Sequence, residues 1–170
     1  MEEKWFGAIM IIAGCGGFGA VLVSHYKMTE QGLRQLLRVI EYMNSDLQYR
    51  LTPLPELCCQ AANLGSGALK DIFYNLSREL EWRTEPDAAG CMRVALDRSK
   101  AISKTLRKLL LDLGKSLGRF DLSGQLQGLQ EIHGRCEYEI SLFEKNREVR
   151  LRNYRTLTLC AGAALAILFA

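Results

Sequence analysis

The chain has 170 residues, with 22 Lys and Arg against 19 Asp and Glu, for a net charge of +3. That length suits one modest domain, and so small a positive excess gives no footprint for nucleic acid. Its three prolines all lie outside the long periodic segments, and no run alternates Val, Ile, Thr and Tyr, which argues against a β fold and leaves an all-α one.

A mean hydropathy of −0.03 hides an uneven distribution of apolar residues. Residues 1–4, Met-Glu-Glu-Lys, form a short extracytoplasmic N-terminus, and residues 5–23 carry no charge at all. As a helix, residues 5–23 would reach about 28 Å at a rise of 1.5 Å per residue, close to the roughly 30 Å of a bilayer core. A cleaved signal peptide needs basic residues before its apolar run. Here they follow it, at Lys27, Arg34 and Arg38, so the segment after the helix is expected to stay in the cytoplasm. Within this helix Ala13 and Gly17, and Gly16 and Ala20, have small-xxx-small spacing, which lets membrane helices approach closely.

Residues 24–155 read as a cytoplasmic helical bundle. Leu33, Leu36, Leu37, Ile40, Met43 and Leu47 recur at helical spacing, as do Leu69, Ile72, Phe73, Leu76 and Leu80. Between them, Thr52-Pro53 stops the first helix, and a short helix is expected over about 54–63. Pro86 opens another short helix up to about Arg98. Ile102, Leu106, Leu109, Leu110, Leu113 and Leu117 form a third stripe, which Gly118 closes. On the opposite face stand Lys100, Lys104, Arg107, Lys108, Lys115 and Arg119, a candidate docking face for an acidic partner or anionic headgroups. The competing reading is a solvated face balanced by Glu131, Glu137, Glu139, Glu144 and Glu148 of the next helix.

The last helix runs from about 122 without proline. Leu122, Leu126, Leu129, His133, Cys136, Ile140, Phe143, Arg147, Arg150, Tyr154 and Leu157 repeat every 3.5 residues, the coiled-coil spacing. It continues into residues 156–170, a short apolar run with Gly162 and Ala166 at packing spacing and with basic residues before it. That run is expected to be a second transmembrane helix, of only about 22 Å at 1.5 Å per residue, and the competing reading is an interfacial or buried tail. The expected architecture is therefore an all-α bundle of about six helices with a transmembrane helix at each end, the last helix being continuous with the C-terminal segment.

No catalytic or cofactor chemistry is expected. Gly114-Lys115-Ser116 lacks the upstream glycine and the strand of a P-loop. His133 lies in an apolar stripe, where a satisfied bundle histidine is expected. His25 follows the first membrane helix, and neither histidine has triad partners nearby. The six cysteines, Cys15, Cys58, Cys59, Cys91, Cys136 and Cys160, form no CxxC pair and are expected to be free thiols. Neither a metal, a cofactor nor a small-molecule substrate is implied.

The segment Leu113-Gly114-Lys115-Ser116-Leu117-Gly118-Arg119-Phe120-Asp121-Leu122-Ser123-Gly124-Gln125 resembles the Leu-Gly-x-x-Leu-Gly-x-x-Asp-x-x-x-Gln pattern of the stage III sporulation protein AB family. Thr52-Pro53-Leu54 is similar to that family's Thr-Pro-Leu after its first cytoplasmic helix, and Tyr154-Arg155-Thr156-Leu157 to the start of its tail. The resemblance covers the whole chain, and it implies that Thr52, Pro53, Leu54, Gly114, Gly118, Asp121 and Gln125 carry family-specific roles. It further implies a non-catalytic platform in the sporulation channel complex between mother cell and forespore, similar to the inner-membrane platform protein of type II secretion. The implied partners are a cytoplasmic ATPase subunit, small integral-membrane subunits and the bilayer, and the implied place is the mother-cell side, in the outer forespore membrane. A membrane-anchored signalling bundle unrelated to secretion is the alternative.

Overall fold

The computed structural model describes residues 27–99, 102–118 and 121–169, with side chains as far as Lys145. Among them are six helices and no strand: α1 over 27–49, α2 Leu54–Leu64, α3 Ala68–Trp82, α4 Ala88–Asp97, α5 Lys104–Leu117 and α6 Leu122–Phe169. The all-α expectation and the positions of the helices hold to within about two residues.

The described residues divide into two units. The larger is Thr29–Ile140, and the other takes in α6 from Ser141 onward. In the larger unit, α2 packs on α3, α3 on α4 and α4 on α5. The core comes from the expected stripes: Leu33, Leu36, Ile40, Met43 and Leu47 of α1, Leu69, Ile72, Phe73 and Leu76 of α3, and Leu106, Leu109, Leu110, Leu113 and Leu117 of α5 are all buried. Val39 joins α1's stripe, while Leu37 is only half-buried. The short helices α2 and α4 add Leu57, Cys58, Ala61 and Ala62, and Cys91, Met92, Ala95 and Leu96, to the core.

α6 keeps part of its expected stripe: Leu129, Cys136 and Ile140 are buried, whereas Leu122 is exposed and Leu126 and His133 are half-buried, and Gly124, Gly128 and Ile132 are buried beside them. Ile132 takes the inward place given to His133, whose ring lies beside the carboxylates of Glu41 and Glu137.

Among the described residues no helix is long and apolar enough to cross a membrane. The run 156–170 is helical through Phe169. The run 5–23, with Ala13, Gly16, Gly17 and Ala20, lies outside the described residues, as do the side chains at Gly162 and Ala166.

Candidate functional site

The α5–α6 corner carries the longest family-like segment, and nearly every residue of that pattern has a mechanical task. Gly114 faces α4: a Cβ there would stand 2.7 Å from Met92 Cβ and 3.3 Å from the Ala88 carbonyl oxygen. Only the bare backbone allows α4 and α5 to come so close. Gly118 ends α5, its N–H donating to the carbonyls of Gly114 and Ser116. Asp121 begins α6: its Oδ2 accepts the Gly124 N–H at 2.7 Å and the Ser123 hydroxyl at 3.0 Å, an N-terminal cap. Gln125 Nε2 donates back to the Leu117 carbonyl at 3.4 Å, holding one of the free carbonyls at the end of α5.

Thr52-Pro53-Leu54 is the other family-like segment, and it forms the α1–α2 turn. The Arg50 and Leu51 N–H groups both donate to the Asp46 carbonyl, and Leu51 then turns left-handed at φ 55°. The Thr52 N–H reaches Asp46 Oδ2 at 3.3 Å. Pro53 stands at the α2 N-cap, and Pro55 in the first turn, where a missing N–H costs nothing.

A second close approach joins α5 to α6. Gly128 meets Ser116: a Cβ on it would lie 2.5 Å from Ser116 Oγ and 2.7 Å from its Cβ, so α5 and α6 nearly touch there. Gly124-xxx-Gly128 carries the small-xxx-small signal that points to it. Another device had no local signal. Glu79 of α3 is almost wholly buried and is held by the Arg98 guanidinium and the Thr84 hydroxyl, which pins α3 to the end of α4. Partners this far apart in sequence are joined only by the packed fold.

The basic residues of α5 separate into two groups. Lys100 and Arg119 lie outside the described residues. Arg107 pairs with Asp97 of α4, and Lys115 with Asp112 at 3.0 Å. Asp112 also takes Arg135 of α6 at 3.1 Å, and Arg135 reaches Glu131 at 2.6 Å. Glu137 and Glu41 flank His133 at 3.7 and 3.3 Å, so this histidine ties α6 to α1 as a bundle residue. Of the acids expected to balance α5's cations, Glu131 pairs with Arg135 and Glu137 lies beside His133, and among the described residues no ion pair joins Lys104 or Lys108 to a carboxylate. Beside these two lysines is a groove of about 470 Å³ between α5 and α6, with Leu109 and Asp112 on one wall and Arg135, Tyr138 and Glu139 on the other.

The thiols of the bundle are subdued. Burial pushes Cys58 well above the ordinary thiol range. Burial first, and the Glu139 carboxylate second, push Cys136 up to about 12. Burial likewise raises Cys91. No group of three or more His, Cys, Asp or Glu is placed to hold a metal ion among the described residues.

No curated protein matches the chain in sequence. A solved structure described as stage III sporulation protein AB superposes with a TM-score of 0.64 at 18% identity, covering 72% of this chain and 98% of that one, a likeness of fold. The family model for stage III sporulation protein AB matches residues 4–170. The pattern at the α5–α6 corner and the match over nearly the full length lead to one conclusion: the chain belongs to the stage III sporulation protein AB family.

Proposed function

We propose, beyond the sporulation-associated role that membership gives the chain, that it is a non-catalytic platform subunit of a secretion-like channel between mother cell and forespore. In this reading residues 5–23 and 156–170 anchor it in the outer forespore membrane. The bundle then lies in the mother-cell cytoplasm and docks a cytoplasmic ATPase subunit, which it couples to the membrane parts of the channel. The observation that carries the proposal is the division of labour at the α5–α6 corner. The family-like residues Gly114, Gly118, Asp121 and Gln125 are spent on holding helices together, while exposed lysines of α5 remain unengaged on the outer face.

The test is a deletion in the native sporulating strain together with affinity purification of the full chain. Loss of spores at a stage after engulfment, and recovery of an ATPase encoded beside the gene, are the expected results. Normal spore yield from the deletion strain would sink the proposal.

A further inference from the structure

One lysine beside the α5–α6 groove, Lys104, stands at the start of α5, where its own helix disfavours a cation. α5 starts at Lys104, after the Ser103 cap, and its first turn holds Lys104 and Arg107 with no acidic residue. A helix N-terminus carries partial positive charge, so cations there are disfavoured and acids favoured. Arg107 recovers this cost through Asp97. Lys104 and Lys108, one turn apart on the same face, have no carboxylate partner among the described residues. Both are exposed.

The groove beside them supplies the rest of a binding surface. Leu109 is 5% exposed and lies at its base, and Tyr138, 63% exposed, stands on the α6 wall. Arg135 and Asp112 neutralise each other across it, which leaves the two ammonium groups against the single carboxylate of Glu139. A volume of about 470 Å³ holds a few side chains and not a folded domain. We infer that this groove docks an acidic segment of a partner protein. The partner's carboxylates would meet Lys104 and Lys108, and an apolar side chain between them would rest on Leu109 and the Tyr138 ring. The inference rests on the platform reading and gives that platform's docking face a location and a chemistry.

The test uses the purified full chain in detergent micelles. The probes are a fluorescent amphipathic peptide of Glu and Leu, the same peptide with Gln for Glu, and phosphatidylglycerol vesicles. The acidic peptide is expected to bind, more weakly as salt rises, and the Gln peptide is expected not to. The double substitution Lys104→Glu and Lys108→Glu should weaken binding about tenfold or more, while Lys70→Glu, at an exposed position of α3, leaves it unchanged. Acids at a helix start favour the helix, so the double variant is expected to keep its helical circular dichroism. Equal binding by the double variant, or binding of both peptides alike, overturns the inference. So does binding of the vesicles alone with the same lysine dependence, since the surface would then face lipid. Absence of acidic-peptide binding overturns the groove while spore loss in the deletion strain still stands, so the two readings fail separately.

Discussion

Gly114 shows how tightly single residues constrain this bundle. A methyl group there has to push Met92 Cβ from 2.7 Å, and neither atom can swing away because both are fixed to the backbone. Gly114→Ala is therefore expected to cost about 1–3 kcal/mol through overpacking, offset in part by alanine's better helix propensity. A lowered thermal midpoint by circular dichroism checks it; an unchanged midpoint would mean that α4 can shift. The thiols report on packing from another side. The thiolate is the reactive form, so alkylation at pH 8 should leave Cys58 and Cys136 unmodified in the folded chain while the half-buried Cys59 reacts, as read by peptide mass spectrometry. Cys136 also has a consequence for pH. Its folded value of about 12 exceeds the ordinary 9.0, so between those values the unfolded chain has released a proton that the folded chain keeps. Unfolding free energy then falls as pH rises through that window, and the contribution is complete below it. Cys136→Ala should flatten part of this alkaline loss in denaturant titrations.

At the scale of elements, the helix ends carry the information. α6 is 48 residues long, and its start is fixed by Asp121. Asp121→Ala removes the acceptor for the Gly124 N–H and is expected to cost about 1 kcal/mol. Asp121→Asn should restore most of it, a pattern that denaturant midpoints of the three chains would reveal; equal midpoints for the alanine and native chains would remove the cap from the account. The turn before α2 is held differently, by Leu51 at a positive φ, where a branched side chain is strained. The helices themselves were legible because their apolar residues recur at i, i+3 and i+4 and because proline and glycine mark the breaks. The inward face of α6 was less legible. The 3.5 and 3.6 periods differ by little over a few turns, and only the neighbours Ser116, Glu41 and Asp112 decide which side of the helix turns in.

At the scale of the whole chain, the expected outcome concerns anchoring. If residues 5–23 span the bilayer, the full chain should remain with the membrane pellet after alkaline carbonate extraction. A chain lacking residues 1–26 should then depend on residues 156–170 alone, and its release by carbonate would show that the shorter run does not hold the protein by itself. Retention of that shortened chain would assign a full anchor to the C-terminal end. The two ends differ in the number of uncharged residues they offer, and a bilayer core sets a minimum length that one meets and the other approaches.

Taken alone, the amino-acid sequence determined the helical class, the six helical segments, the apolar ends and the family, because periodicity, breakers and charge distribution are local and additive along the chain. Tertiary structure alone decided what the family-like residues do. Gly114 meets Met92 and Ala88 of α4, and Gln125 ties α6 to α5; outside the family-like segments, Glu79 is a buried anchor for Arg98, and since each depends on a partner brought near by packing, spacing does not name that partner. It also divided one basic helix face into engaged and unengaged charges. Charge pairing falls off within a few ångströms, so the same row of lysines and arginines reads uniformly in sequence and unevenly in space.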